Sequence, residues 1–169
     1  MELFRISEEQ YSASLSASGV TGRWNDDNEY VIYTASSRAL GTLEKIIRFK
    51  SINPKVTYKV MVIFIPDNPD LISEIKISKL PDNWREIAAY ADLRAIGSKW
   101  YTNKQSLILK VPSSIITNEF NYIINTKHPD FSVVKLALIE NYFFDDRLIA
   151  MNTPSKKTSK IITKTKTKK

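Results

Sequence analysis

A glutamate on the apolar side of a predicted helix is the first residue that could do chemistry. Leu40, Leu43 and Ile47 recur at helical spacing, and Glu44 lies four residues after the first of them and three before the last. A carboxylate that faces a core is costly unless it has a partner. Two readings are open: Glu44 lies at the edge of the apolar stripe, in solvent or paired with a basic neighbour, or it belongs to a site that requires a buried carboxylate.

Three further side chains could take part in catalysis or binding, but each of them taken alone also has a purely structural explanation. In Gly22-Arg23-Trp24-Asn25 a glycine-permitted turn presents an arginine beside a large aromatic ring, and a guanidinium suits bidentate binding of phosphate. Tyr33 shares a strand face with the residues two positions away, so core packing alone also explains it. Ser113 follows a proline at the end of a predicted strand, where a hydroxyl either faces a cleft or stabilises a turn.

Strands are the main elements that must position these residues. β-Branched and aromatic residues predict strands at 3–6, 29–35, 55–65, 74–78, 106–111 and 133–139, with 121–124 ambiguous. Predicted helices run from Ser36 or Ser37, either of which can serve as N-cap, to about residue 49, and from 83 to 100. Strands dominate without regular β-α-β alternation, so we expect an α+β fold of mixed sheets with a few flanking helices rather than a doubly wound sheet.

The length and charge of the chain divide it into a body and a tail. A chain of 169 residues fits one domain. Residues 153–169 hold seven lysines and no acid, which leaves 18 basic and 18 acidic residues in the body at 1–152. Such a tail is predicted to be disordered and to bind polyanions only weakly. Specific nucleic-acid binding would need a basic face with aromatic residues on the fold itself, and we see none.

Several classes of site are excluded or disfavoured by composition. The absence of cysteine excludes disulfides, thiolate nucleophiles and iron-sulfur clusters, and a single histidine, His128, argues against a histidine-rich metal site. We therefore expect no metal and no bound cofactor. No Rossmann or P-loop glycine pattern occurs. The first twenty residues do not read as a signal peptide, and the longest apolar run, at 60–65, is too short to span a membrane, so a cytoplasmic location without membrane attachment is expected.

Taken together, the motifs resemble a known family in their order and spacing. They are LFRI at 3–6, GRWN at 22–25, VIYTASSRALGTLE at 31–44, LPDNW at 80–84, IGSKW at 96–100, VPSSI at 111–115, EFNYIIN at 119–125, HPDF at 128–131 and FFDDRL at 143–148. This series is similar to the RES domain, which is named for its arginine, glutamate and serine. The resemblance covers essentially the whole body of the chain.

The resemblance implies both an activity and a partner. It implies a fold related to the ADP-ribosyltransferases and the toxin of a type II toxin-antitoxin system, which depletes NAD+ by phosphorolysis or hydrolysis of the nicotinamide-ribose bond. NAD+ is then a substrate, with inorganic phosphate as a potential co-substrate. The implied partner is an Xre-type antitoxin that occludes the active site, and a homodimer is implied as well. The operator would be bound by the antitoxin and not by this chain.

The family's functional residues map onto positions of this sequence. The resemblance implies catalytic roles for Arg23, Tyr33, Glu44 and Ser113, and substrate-binding roles for Arg5, Trp24 and Asn121. Cleavage of NAD+ passes through an oxocarbenium-like cation, as glycoside hydrolysis does, so a nearby carboxylate would stabilise the developing charge. Arg23 would clamp the pyrophosphate, with Arg5 as a further contact. His128 invites a general-base role, but HPDF is more typical of a supporting turn.

Two other functions are weighed against NAD+ breakdown. Transfer of ADP-ribose to a protein would use the same pocket and differ only in the nucleophile. A non-catalytic module that binds polyanions through its lysine tail is a different class, and it predicts salt-sensitive binding that deletion of 153–169 abolishes. The enzyme interpretation predicts that the truncated protein stays toxic.

Overall fold

Runs of β-branched and aromatic residues form a single seven-stranded sheet with three helices in the described part of the chain. The computed structural model describes residues 1–49, 52–53 and 55–151. The strands are β1 (Glu2–Glu8), β2 (Val31–Ala35), β3 (Tyr58–Phe64), β4 (Ile72–Glu74), β5 (Ile108–Pro112), β6 (Phe120–Asn125) and β7 (Lys135–Tyr142). The helices are α1 (Arg38–Phe49), α2 (Tyr90–Asn103) and α3 (Asp146–Met151). The predicted disorder of 153–169 concerns residues outside the described part.

The strand order is β4-β5-β6-β2-β1-β3-β7, and only β4 and β5 pair in parallel. The fold class is therefore mixed α and β with a largely antiparallel sheet, as predicted. β1 pairs with β3 over seven residues and β2 pairs with β6 over five. By contrast, β1 and β2 meet at one residue pair, Phe4 and Ala35. The sheet thus consists of two well-paired halves, and we call their single-pair junction the seam.

Each half of the sheet has its own helix. Ile46 of α1 packs with Phe4, Ile6 and Val60 of the β1–β3 half. Leu93 and Trp100 of α2 pack with Trp24, Val31, Trp84 and Ile123 of the β2–β6–β5 half, in a cluster that we call the tryptophan core. Both helices lie on one face of the sheet. Side chains alternate along β2, so Val31 and Ala35 point to the same face. Val31 packs in the tryptophan core with α2, and Ala35 lies 3.7 Å from a Cβ built on Gly41 of α1. The opposite face carries one apolar cluster that spans the seam, with Leu3, Ile32, Met61, Ile63 and Ile124.

The first helix begins and packs largely as the sequence predicts. Ser37 accepts a hydrogen bond from the backbone N–H of Leu40 at 3.1 Å, so it is the N-cap. Leu40 is buried. Ile47 was expected on the buried stripe but is 55% exposed, and Ile46 is buried instead. A period of 3.6 residues places Ile47 about 20° and Ile46 about 120° from Leu40 around the helix. Tertiary packing of Ile46 on the β1–β3 half, and not the spacing, therefore sets the buried side.

Two predicted elements differ clearly in extent from the structure, and one ambiguous segment is resolved. The strand expected at 74–78 is wrong, because β4 ends at Glu74 and Ile77–Lys79 forms a 3-10 turn. The helix expected from residue 83 begins at Tyr90, since residues 81–86 form successive turns and Ile87–Ala89 is a 3-10 helix. The ambiguous segment at 121–124 lies within β6. Within the described residues, no helix is long and apolar enough to cross a membrane.

Candidate active site

A cavity of about 520 Å³ lies at the seam, where β1 and β2 diverge from their single pair. Its walls come from β1, β2, α1, residues 16–20 of the loop after β1, and Asn121 of β6. α1 lies on one face of the sheet, whereas Ala17 of the loop packs against the cluster on the other face. The cavity therefore passes between the two halves of the sheet, which leaves backbone and side chains of both halves available to a ligand.

Glu44 lies on the cavity wall, on the side of α1 that faces β6. Its Oε1 accepts hydrogen bonds from Asn121 Nδ2 and from Ser113 Oγ, the latter at 3.2 Å. Both bonds fall on the same oxygen, so the carboxylate is held in place without the use of Oε2. The reading in which Glu44 only marks the edge of an apolar stripe does not account for these two bonds, which fix one carboxylate beside a cavity.

Ser113 acts on the cavity through Glu44. It is 1% exposed, and its Oγ accepts the backbone N–H groups of Ile115 and Ile116 at 3.1 and 3.2 Å. The turn after β5 thus fixes the hydroxyl, and its remaining proton points to Glu44. The structure therefore brings three of the predicted site residues together, Glu44, Ser113 and Asn121, with Ser113 behind the carboxylate rather than on the wall.

The ring of Tyr33 lines the cavity, whereas its hydroxyl is hydrogen-bonded to the loop at 22–25. The Oη accepts the N–H of Trp24 at 3.0 Å and donates to Asn25 Oδ1 at 2.8 Å. Gly22 makes this approach possible, since a Cβ there would lie 2.5 Å from the same hydroxyl. Burial raises the pKa of Tyr33 to about 12, so the hydroxyl stays protonated at neutral pH. The ring can stack on a planar ligand, whereas the hydroxyl is unsuited to acid-base catalysis.

Arg23 and Trp24 do not line this cavity. The guanidinium of Arg23 donates to the carbonyl oxygens of Trp84 and Arg85 at 3.0 and 3.2 Å and to Tyr90 Oη at 3.1 Å, and it lies 4.5 Å from the ring centroid of Tyr90. Trp24 is 3% exposed in the tryptophan core. The bonds of Arg23 thus connect the loop at 22–25 with the segment before α2 and with Tyr90. The roles in substrate binding and catalysis that were predicted for Arg23 and Trp24 stay predictions.

Within the part of the chain that the structure describes, three basic residues line the cavity, and sequence reasoning singled out one of them as a site residue. Arg5 was predicted, and its Nη1 donates to the carbonyl of Ser16 at 3.3 Å. Lys45 and Arg48 of α1 were missed. The available signal was spacing, since Arg48 lies four residues after Glu44 and hence on the same face of the helix. Burial lowers the pKa of Arg5, and the charge of Arg48 lowers it further.

His128 supports a turn away from the cavity. Its Nδ1 accepts the backbone N–H of Asp130 at 3.1 Å at the start of the 3-10 helix Pro129–Val133. HPDF is therefore a turn, as predicted. Among the described residues no group of three or more histidines and carboxylates is arranged to hold a metal ion. The arrangement at the seam is instead an oriented carboxylate, an aromatic face and several cations around one cavity.

The chain is similar to several known proteins. A family model described as RES domain matches residues 2–145. The chain is 32% identical over 129 residues to the "Prs ADP-ribosylating toxin" of Sphingobium sp. (strain YBL2), covering 76% of this chain and 80% of that protein. It is 31% identical over 154 residues to "Toxin Res" of Yersinia enterocolitica, covering 88% and 99%.

A solved structure has the same fold. It is the M. tuberculosis MbcT-MbcA toxin-antitoxin complex, with a TM-score of 0.67 and coverage of 89% of this chain and 86% of that chain. The sequence identity is 15%, so the likeness concerns the fold alone.

Proposed function

The chain belongs to the RES domain family, and on that premise we propose that it is the toxin of a toxin-antitoxin pair that cleaves the nicotinamide-ribose bond of NAD+ in the cytoplasm. The observation that carries the proposal is the carboxylate of Glu44, held by Ser113 and Asn121 on the wall of a cation-lined cavity. A cavity of about 520 Å³ falls in the range of small-molecule sites.

The proposed reaction uses Glu44 as an electrostatic stabiliser. The bond between the ribose anomeric carbon and the pyridinium nitrogen breaks, and its electron pair leaves with neutral nicotinamide. The ribosyl group develops oxocarbenium character, which the carboxylate stabilises from a fixed position. Water or phosphate then forms the new bond at the anomeric carbon and releases its proton to solvent. Neither step calls for a metal ion, since the pyridinium is already a good leaving group.

The other residues of the cavity bind and orient the substrate. The face of Tyr33 is suited to stacking on the nicotinamide ring. Asn121 and Ser113 hold the carboxylate, and Asn121 also reaches the cavity itself, where it can bond a ribose hydroxyl. The charged groups of the cavity therefore act on charge in the substrate. The uncharged groups hold the carboxylate of Glu44 and orient the substrate.

A second candidate is transfer of ADP-ribose to a protein. It is favoured by one relative, which is named an ADP-ribosylating toxin. The first bond cleavage is the same, and a side chain of the target protein takes the place of water or phosphate. Both candidates predict nicotinamide release, so the fate of the ADP-ribose moiety distinguishes them.

The partners are proposed from family membership. They are an Xre-type antitoxin that occludes the cavity and a second copy of this chain. A cavity that is walled in part by α1 and by an exposed loop at 16–20 is accessible to a segment of a partner. Co-purification with the product of an adjacent helix-turn-helix gene, with loss of NAD+ turnover in the complex, is the expected result.

Expression in a bacterial host tests the proposal as a whole. Wild-type protein and a variant truncated after residue 152 are expected to arrest growth and lower cellular NAD+, whereas Glu44→Gln does neither at equal protein level. The purified protein with NAD+, with and without phosphate, then yields free ADP-ribose, a phosphorylated ADP-ribose, or label on protein. Growth arrest that depends on residues 153–169 while NAD+ stays constant would instead favour the polyanion-binding module.

A further inference from the structure

One buried side chain connects two walls of the seam cavity from outside the cavity. Asn25 is the last residue of the GRWN motif, and the proposed reaction assigns it no task. Its side chain is fully buried, and it is not one of the described residues that line the cavity. Both ends of its amide group are nevertheless bonded to parts of the chain that do.

The oxygen of the Asn25 side chain is bonded to Tyr33. Oδ1 accepts a hydrogen bond from Tyr33 Oη at 2.8 Å. Gly22 packs directly against this bond, since a Cβ there would lie 2.5 Å from both of these oxygen atoms. The hydroxyl end of the Tyr33 ring is therefore fixed by Asn25, while the ring itself lines the cavity.

The nitrogen of the same side chain is bonded to the loop at 16–20. Nδ2 donates to the carbonyl oxygen of Val20, a residue of the cavity wall, at 3.0 Å. It also lies 2.9 and 3.3 Å from the carbonyl oxygens of Asp26 and Glu29. Three converging carbonyl oxygens need a donor, which an amide supplies and a carboxylate does not. An aspartate at position 25 would therefore keep the size of the side chain but lose its hold on the loop.

We propose that Asn25 is a positioning residue that fixes the gap between the Tyr33 ring and the loop at 16–20. The proposal rests on the proposed function for its substrate, in which this gap receives NAD+. Glu44 is held by other residues, Ser113 and Asn121. Asn25 therefore acts on substrate binding rather than on the carboxylate, and its loss raises the KM for NAD+ more than it lowers kcat.

Steady-state kinetics with NAD+ tests this division. Asn25→Asp is expected to raise KM by about tenfold and to leave kcat within about threefold of wild type. Tyr33→Phe removes the hydroxyl at the other end of the link but keeps the ring, so we expect KM to rise by about threefold. The matched control is Asn68→Asp, at an exposed position where an aspartate can also accept the backbone N–H of Asp70. This control is expected to behave as wild type does.

The double variant Asn25→Asp/Tyr33→Phe tests whether the two residues act through one link. A link that is broken at one end is not weakened further at the other, so the double variant is expected to have the KM of Asn25→Asp alone. Multiplied effects on KM, or a loss that falls on kcat while KM is unchanged, would overturn the proposal.

Hydrogen exchange followed by mass spectrometry tests the link without substrate. The amides at 16–22 are expected to exchange about fivefold faster in Asn25→Asp and in Tyr33→Phe, whereas those of β6 exchange as in wild type. Faster exchange with an unchanged KM would show a purely structural role and would also overturn the proposal. If circular dichroism shows that Asn25→Asp is unfolded, Tyr33→Phe decides, and unchanged KM and exchange in that variant would contradict the link.

The outcome is separable from that of the proposed function. Should wild type leave NAD+ intact while exchange at 16–22 rises in both variants, the link between the two walls stands and NAD+ cleavage is wrong. Should wild type cleave NAD+ while both variants keep its KM and its exchange rates, NAD+ cleavage stands and the role of Asn25 is wrong.

Discussion

The two halves of the sheet contribute different chemistry to the cavity between them. Among the described residues, the charged groups of its wall all come from the β1–α1 side, namely Arg5, Glu8, Glu44, Lys45 and Arg48. The β2–β6–β5 side supplies uncharged groups: Tyr33, Thr34 and Asn121 on the wall and Ser113 behind it. In the proposed reaction the charged side acts on the substrate, while the uncharged side fixes the carboxylate and presents an aromatic face.

The single residue pair at the seam makes this division possible. Two strands that separate after Phe4 and Ala35 leave a gap with polar walls, whereas a continuous ladder would have filled it with backbone hydrogen bonds. The two halves stay packed together because one apolar cluster on the opposite face of the sheet spans both of them. Substitutions on the charged side, on the uncharged side, or at the contact between them therefore have distinct expected effects.

Removal of the central charge is expected to have the largest effect. Glu44→Gln keeps the shape of the side chain and its contacts with Asn121 and Ser113, but removes the charge that stabilises an oxocarbenium ion. We expect the rate of NAD+ loss to fall by about 10³-fold, or about 4 kcal/mol in barrier. Steady-state kinetics measures it, with Glu86→Gln on the exposed surface as the control, and a loss below tenfold would contradict the role.

The second largest effect is expected from a methyl group added to α2, where the helix packs against the loop at 22–25. A Cβ on Gly97 of α2 would lie 1.8 Å from the carbonyl oxygen of Trp24, so Gly97→Ala must displace the helix or the loop that holds Tyr33. We expect the free energy of unfolding to fall by about 3 kcal/mol, as measured by denaturant titration. Gly41→Ala is the matched control, because its nearest atoms lie at 3.7 Å. Equal stability of the two variants would show that this contact is not tight.

The residues at these two substitutions illustrate what could and could not be predicted from sequence. Local patterns predict the strand positions and the cap at Ser37. The family resemblance indicates Glu44, Ser113 and Asn121, which the structure brings into hydrogen-bonding contact. The close approach of Gly97 to Trp24 and the bonds of Arg23 to the segment at 84–90 depend on tertiary packing between distant residues. No periodicity or motif encodes such distances, which is why the bonds that hold Arg23 outside the cavity could not be predicted, whereas the place of Arg48 was available from its spacing of four residues after Glu44.

The buried hydroxyl of Tyr33 predicts a pH dependence of stability. A tyrosine releases its proton near pH 10 in the unfolded chain, and here the folded pKa is raised to about 12. Between these values the unfolded chain binds fewer protons, so the free energy of unfolding falls as pH rises, by about 2 kcal/mol. Denaturant titrations at pH 9 to 12 measure this slope. Tyr33→Phe is expected to flatten it, and an unchanged slope would place the titrating group elsewhere.

Loss of the hydroxyl behind the carboxylate is expected to have the smallest effect. Ser113→Ala removes one of the two bonds that hold Oε1 of Glu44, while Asn121 retains the other. We expect kcat to fall by about tenfold, or about 1.4 kcal/mol, with little change in KM. Ser114→Ala is the neighbouring control, and equal kcat values for the two variants would show that Asn121 alone suffices.

The most direct test is release of nicotinamide from NAD+ by the purified wild-type protein. We expect nicotinamide in an amount equal to the NAD+ that is lost, whichever acceptor takes the ADP-ribose. If folded protein, verified by circular dichroism, leaves NAD+ intact and releases no nicotinamide, the seam cavity does not cleave the nicotinamide-ribose bond and the proposed function is wrong.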